Sequence, residues 1–201
     1  MKRSCLVSCG LVLAIGCGGE SSDTPDGQTS DGPGTDGPVD TAPPAFTLTS
    51  PAFVQDAAIP EEISCNGADT SPQLDWVGAP AGTLSFAIVF TDLTISPNLI
   101  HSVIYDIPAN LGGLPADVDK AFSPTDVPGA HQTRNFRGAN NFGYAGPCPG
   151  SAHVYEFKLY ALDVATLPGA MMSTNQAGAK TLIEEHDLAS TTLSGTYDPN
   201  L

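Results

Sequence analysis

The chain is organised around the stretch Gly143–Asp163, which has the sequence GYAGPCPGSAHVYEFKLYALD. Its first half is a loop rich in glycine and proline, and its second half alternates in the manner of a β-strand. Alternation predicts that five of its side chains share one face of the strand, namely His153, Tyr155, Phe157, Leu159 and Ala161. A rigid loop leading into a His and a Tyr on one face suggests a small polar site on a β scaffold. The alternative is that both residues are packed in a core with their polar ends satisfied.

Two more strands are predicted upstream of this stretch. Leu84–Thr91 is a short, nearly continuous apolar run, rich in aromatic and branched residues, which is typical of a strand buried on both faces. Asp92 follows it directly. Ile100–Ile107 alternates and ends at Pro108. Its pattern predicts four side chains on one side of the strand, which are His101, Val103, Tyr105 and Ile107.

The remaining segments predict a mainly β, sandwich-like domain over residues 46–201. Phe46–Ser50 and Thr191–Tyr197 favour a first and a last strand, whereas residues 109–142 are rich in loops and lack a clear pattern. Asn175–Leu188 is the best candidate for a helix. Its spacing places Ala179, Leu182, Ile183 and His186 on one helical face.

The first 45 residues predict an export signal and a tether. Residues 1–17 combine a basic start, a short apolar core and small residues before Cys17, and they are too short for a membrane-spanning helix. The end of this segment resembles a bacterial lipobox, which makes lipidated Cys17 the first mature residue; an ordinary cleaved signal peptide is the alternative. Residues 18–45 consist almost entirely of Gly, Ser, Thr, Asp and Pro and predict a disordered linker. Gly18 lacks the acidic character of inner-membrane retention signals, which favours anchoring to the outer membrane.

The net charge argues against nucleic acid as a partner. The chain carries 22 Asp and Glu against 7 Lys and Arg, a formal charge of -15. Two of the bases lie in residues 1–17 and six of the acids in residues 18–45, which leaves -11 for residues 46–201. A domain with this charge is repelled by phosphate backbones.

Asp92, His101 and His153 are the candidates for chemistry. A carboxylate beside an imidazole is a frequent structural pair, and it is also how a site fixes a tautomer or shifts a pKa. The three residues together also suggest a metal set of two His and one carboxylate, although no tight ligand motif supports it. A serine hydrolase is disfavoured because the chain has no Gly-x-Ser-x-Gly.

Cys65 and Cys148 are the only cysteines beyond residue 17. In an exported domain two such residues are often joined in a disulfide, which would pin the turn Asn66–Ser71 to the Gly/Pro loop. Two unpaired buried thiols are the alternative. The glycines around Pro147 and Pro149 suggest either a plain loop or backbone amides presented to an anion.

The order of motifs resembles the phosphatidylethanolamine-binding protein family, most closely its bacterial Raf-kinase-inhibitor-like branch. The resemblance covers about residues 46–200 and lies in Ser50-Pro-Ala-Phe53, Ile63–Trp76, Phe90-Thr-Asp92, His101–Pro108, Gly143–Pro149 and His153-Val-Tyr155. It implies a Greek-key β-sandwich of two antiparallel sheets with one or two C-terminal helices. It also implies a small pocket for phosphate-like anions.

Six residues match the pocket positions of the family. The resemblance implies ligand-binding roles for Asp92, His101, Gly146, Cys148, His153 and Tyr155. The chain also departs from the family pattern, since Asp92-Leu-Thr-Ile-Ser96 lacks a second acid, Ile100 replaces a Trp, and Val154 replaces an Arg. These departures predict an altered pocket wall.

The expected function is therefore that of a membrane-tethered binding protein, without a cofactor and without enzymatic activity. The expected partners are a small anionic or phosphorylated ligand, the membrane through the lipid anchor, and a protein that it inhibits or signals to. The alternative is an acid–base or metal-dependent enzyme that uses Asp92, His101 and His153.

Overall fold

The computed structural model describes residues 43–201. The predicted signal peptide at residues 1–17, the lipidation of Cys17 and most of the predicted linker at residues 18–45 lie outside the described residues. No helix within residues 43–201 is both long enough and apolar enough to cross a membrane.

Nine strands and one α-helix make up the regular structure of the described part of the chain. In chain order these are β1 (Thr47–Thr49), β2 (Ala57–Ala58), β3 (Leu74–Val77), β4 (Ser85–Asp92), β5 (Leu99–Pro108), β6 (Gly113–Leu114), β7 (His131–Gln132), β8 (His153–Leu162), α1 (Gln176–Glu184) and β9 (Asp187–Tyr197). A three-residue 3₁₀ helix, Glu61–Ile63, lies between β2 and β3.

The strands form two sheets, which confirms the predicted β-sandwich. The smaller sheet has the order β1-β3-β6 and the larger one the order β2-β9-β8-β4-β5-β7. All pairs are antiparallel except β2 with β9, which run parallel, so the larger sheet is mixed rather than wholly antiparallel. The central strand β4 is buried along all eight residues, as its continuous apolar run predicts.

Apolar side chains fill both sides of the larger sheet. Between the two sheets, Trp76 contacts Phe86, and the rings of Phe90 and Phe157 stack with centroids 4.2 Å apart. On the opposite side, α1 covers the sheet with Ala179 and Ile183, which are both fully buried. Stacked aromatic pairs stabilise a core beyond the area that they bury.

The helix is shorter than predicted. It spans Gln176–Glu184, and Asn175 caps it by accepting a hydrogen bond from the Gly178 amide at 2.8 Å. Leu188 belongs to β9, because the chain turns at Glu185 and His186 and pairs with β8 from Asp187 onward. The last strand therefore begins at Asp187, four residues before the predicted start at Thr191.

The predicted face of β5 is wrong because two β-bulges interrupt its pairing with β4. The register shifts between Phe86 and Ile88 and again between Phe90 and Thr91. Each shift turns the following side chains to the other face of the sheet. Val103 and Tyr105 therefore pack towards α1, whereas Ile107 packs between the sheets.

Candidate functional site

A cavity of about 170 Å³ opens at the edge of the larger sheet where β4 ends and both β5 and β8 begin. These three strand ends meet because each neighbouring pair is antiparallel. Cross-strand pairing places Asp92 opposite Leu99 on β5 and opposite Tyr155 on β8. The lining consists of Asp92, Ile95, Leu99, His101, Phe136, Cys148, Pro149, His153 and Tyr155.

Asp92 orients His153. Its Oδ2 accepts a hydrogen bond from His153 Nδ1 at 2.7 Å, and its Oδ1 accepts from the Thr94 amide at 2.9 Å. Only 3% of Asp92 is exposed, so both carboxylate oxygens are engaged within the protein. Because an ionised carboxylate only accepts hydrogen bonds, the Nδ1 of His153 carries a proton.

His101 reaches the cavity because of the second bulge in β5. The pairing of Phe90 with Ser102 and of Thr91 with Ile100 leaves His101 as the extra residue. Its ring lies edge-on against Phe90 and Tyr155, with centroids 5.3 and 5.4 Å away. A regular strand would have turned this side chain with Val103 towards α1, so the bulge re-aims the imidazole into the cavity.

A carbonyl group fixes the tautomer of His101. Its Nδ1 donates to the Ala145 carbonyl oxygen at 2.9 Å, and a carbonyl oxygen can only accept. Both site histidines therefore use Nδ1 within the protein, and Nε2 is the ring nitrogen left for a ligand. In a neutral imidazole this Nε2 is an acceptor, and in an imidazolium it is a donor.

Burial sets the protonation of two lining residues. Burial lowers the pKa of His101 below 6.5, and the opposing effects of the Ala145 carbonyl and the Asp92 carboxylate do not outweigh it. Burial and the neighbouring Asp92 carboxylate raise the pKa of Tyr155, so its hydroxyl stays protonated at neutral pH. The neutral site thus offers His101 Nε2 as an acceptor, whereas the protonated Tyr155 hydroxyl lies close to the Asp92 carboxylate.

Three links join the Gly/Pro loop to the turn after the 3₁₀ helix. Cys65 and Cys148 form a disulfide with their Cα atoms 5.3 Å apart, which is the arrangement that the sequence suggested over two free thiols. The Cys65 amide donates to the Pro147 carbonyl at 2.9 Å. The Gly146 amide donates to Asp69 Oδ1 at 2.8 Å. The loop is therefore fixed next to the carbonyl group that binds His101.

Asp69 lies at the centre of a cluster of ion pairs beside the Gly/Pro loop. Arg137 donates to both of its carboxylate oxygens, at 2.5 and 3.0 Å, and Lys120 donates to Oδ2 at 3.0 Å. Burial raises the pKa of Asp69, but the hydrogen bonds from Arg137, Gly146 and Lys120 outweigh it and lower that pKa overall. Arg137 also donates to the Gly146 carbonyl at 3.2 Å, so it holds the same loop from a second side.

Five of the six predicted ligand-binding residues line the cavity. Gly146 does not, and its amide is occupied by Asp69. A Cβ on this glycine would lie 2.2 Å from the Ile63 carbonyl oxygen, so close packing alone requires the absence of a side chain. Pro147 and Pro149 have no N–H group, so the loop offers fewer amides to an anion than its sequence suggests.

The departures from the family pattern affect the cavity less than expected. Val154 is 41% exposed and does not line the cavity, because alternation turns it away from His153 and Tyr155. Ile100 lines a neighbouring groove instead. In the segment that lacks the second acid, Asp92 and Ile95 contribute to the wall.

The sequence does not predict the apolar part of the lining. Phe136 lies in the loop-rich region, where no periodic pattern marks it. Its amide donates to the His101 carbonyl at 3.1 Å, and its ring lies 4.2 Å from the His101 ring. The only signal available was that a long irregular region is often functional.

Comparison with known proteins agrees with this architecture. The family model described as phosphatidylethanolamine-binding protein matches residues 49–198. The chain belongs to this family.

The relatives include a putative lipoprotein, LppC, of Mycobacterium tuberculosis, which is 34% identical over 85% of this chain and 86% of the relative. The UPF0098 protein YbcL of Escherichia coli is 32% identical over 68% of this chain and 75% of its own length. The crystal structure of E. coli YbcL superimposes with a TM-score of 0.70 at 28% identity, covering 77% of this chain and 99% of that one. A homologue from Chlamydia trachomatis, CT736, gives a TM-score of 0.65 at 28% identity over 77% and 97% of the two chains.

Loss of the disulfide should destabilise the domain. The bond closes a loop between positions 83 residues apart, and removing such a link typically costs about 2–5 kcal/mol of unfolding free energy. We expect the variant Cys65→Ala/Cys148→Ala to unfold at a lower urea concentration than the oxidised wild type. Dithiothreitol should lower the wild-type midpoint and leave that of the variant unchanged; equal sensitivity of the two proteins would contradict the bond.

Protonation of His101 should destabilise the fold. Because its folded pKa lies below the unfolded value of 6.5, the unfolded chain binds the proton more readily. The contribution to stability is thus present above about pH 6.5 and is lost as the pH falls through the folded pKa. An NMR titration of the imidazole signals measures this pKa directly, and a His101 value at or above 6.5 would refute the assignment.

Proposed function

We propose that this protein is a non-enzymatic binding protein of the cell envelope, tethered by a lipid on Cys17, which binds a small phosphorylated or anionic ligand in the cavity between His101 and His153. The observation that carries the proposal is the engagement of Nδ1 in both imidazoles. Each ring therefore keeps Nε2 for a ligand, next to the protonated hydroxyl of Tyr155.

The size of the cavity suits a small group. Its volume of about 170 Å³ lies below the roughly 300–1,000 Å³ of pockets that enclose drug-sized ligands. A phosphate-sized or headgroup-sized moiety fits this description, whereas a lipid tail does not. The binding of phospholipid-like ligands, for which the family is named, is thus proposed here for the headgroup alone.

The chemistry of the lining favours binding over nucleophilic catalysis. Cys148, whose thiol would be the strongest nucleophile of the lining, has its sulfur in the disulfide. Asp92 has both oxygens engaged, and the raised pKa of Tyr155 opposes formation of a phenolate. Within residues 43–201 no three or more His, Cys, Asp or Glu are grouped so as to hold a metal ion, so no observation favours the metal-enzyme alternative.

Tethering is proposed from the N-terminal sequence, and a relative supports it. The lipobox-like end at Gly16-Cys17 precedes a long polar linker. The M. tuberculosis relative is named a putative lipoprotein. An exported domain meets envelope ligands and partners, so any protein that it inhibits lies in the same compartment.

Ligand binding should strengthen as the pH falls. Neutral imidazoles present lone pairs at Nε2, which repel anionic oxygens, while imidazolium groups donate to them. Because the domain is strongly acidic, binding at neutral pH should be weak. In isothermal titration calorimetry with inorganic phosphate we expect about tenfold tighter binding at about pH 5.5 than at about pH 7.5.

Matched variants separate the site from general charge effects. His153→Gln should weaken phosphate binding at about pH 5.5, because it removes one of the two imidazoles whose Nε2 is left for a ligand. His186→Gln removes a histidine that pairs with Asp163 outside the cavity, and it should bind like the wild type. If no heat of phosphate binding is detected, or if phosphate binds with equal affinity at the two pH values, the proposed function is refuted.

A further inference from the structure

A second groove adjoins the cavity. It has a volume of about 410 Å³ and lies between the start of β5, the segment at 135–136 and the first turn of α1. Leu99 and Phe136 are among the lining residues of both spaces, so the groove borders the cavity at these two residues. The other residues that line it are Asn98, Ile100, Asn135, Gln176 and Ala177.

The framework between the two spaces is held in place by backbone contacts. The hydrogen bond from the Phe136 amide to His101 ties the shared aromatic ring to the cavity. Asn135 is 6% exposed; its Oδ1 accepts from the Arg137 amide at 3.1 Å, and its Nδ2 donates to the Phe142 carbonyl at 3.4 Å. Asn135 therefore positions the segment and has little capacity left for a ligand.

Two other carboxamides are available to a ligand. Neither the Asn98 nor the Gln176 side chain forms a hydrogen bond with another residue in the described part of the chain. Each can both donate and accept, which is also true of a hydroxyl group. Leu99, Ile100 and Phe136 add apolar surface to the same groove. Pockets with apolar walls and a few polar groups are typical sites for small molecules.

The groove is electrically neutral in a strongly acidic domain. None of its seven lining residues carries a charge. A second phosphate or a carboxylate would find no cation there, and an ammonium group would find no carboxylate. The chemistry instead matches a neutral group with several hydroxyls and an apolar carbon frame, such as a sugar or a glycerol unit.

We infer that the ligand is a phosphate ester of a polyol, with its phosphate in the His101–His153 cavity and its hydroxylated part in the groove beside Phe136. This inference rests on the proposed function. The carboxamides of Asn98 and Gln176 bind the hydroxyls, and Phe136 packs against the carbon frame. Such an ester occurs as a free sugar phosphate or as the headgroup of a lipid.

Calorimetry at about pH 5.5 tests the inference with three probes. These are inorganic phosphate, glucose 1-phosphate as a free monoester, and glycerophosphoglycerol as the diester headgroup of a lipid. Two added hydrogen bonds should make a polyol ester bind about tenfold tighter than inorganic phosphate. A gain for the monoester alone assigns a free sugar phosphate, and a gain for the diester assigns a lipid headgroup.

The double variant Asn98→Ala/Gln176→Ala isolates the groove. It should lose the gain for the polyol ester and retain the wild-type affinity for inorganic phosphate. Asn110→Ala, which removes an exposed carboxamide outside both spaces, is the matched control and should change neither affinity. If phosphate binds but neither ester binds tighter, the inference fails and the proposed function stands; if none of the three probes binds, both fail.

Discussion

The hydrogen bond from His101 Nδ1 to the Ala145 carbonyl is the contact on which the site depends. It requires two separate features of the chain. A bulge in β5 turns the imidazole away from α1, and the Gly/Pro loop places the carbonyl group within reach. The disulfide and the hydrogen bond from the Gly146 amide to Asp69 join this loop to residues 65–69. A single tautomer of a buried histidine thus results from contacts spread over three segments.

This arrangement gives a site in which protonation changes Nε2 of the histidines from a hydrogen-bond acceptor to a donor. His101 and His153 are oriented by different partners, a neutral carbonyl and an ionised carboxylate, yet both leave Nε2 for the ligand. Burial opposes a charge on His101, and an anion in the cavity would favour it. The proposed function therefore couples ligand binding to proton uptake.

Regular strands could be predicted from the sequence, and features set by contacts between distant segments could not. The alternation of β8 holds over Tyr155–Leu162, where its pairing with β4 is unbroken. The same reasoning fails for β5, since a bulge depends on the partner strand. Phe136 could not be predicted because a backbone hydrogen bond, rather than any sequence pattern, places it. The hydrogen bond from the Gly146 amide to Asp69 likewise joins distant segments, and no sequence pattern predicts it.

A crystal structure of the protein with phosphate at about pH 5.5 would show directly which ring nitrogens bind the anion. We expect phosphate oxygens within hydrogen-bonding distance of Nε2 of both His101 and His153, while Nδ1 keeps its contacts to Ala145 and Asp92. Phosphate bound through Nδ1 of either ring, or an empty cavity with phosphate bound elsewhere on the domain, would contradict it.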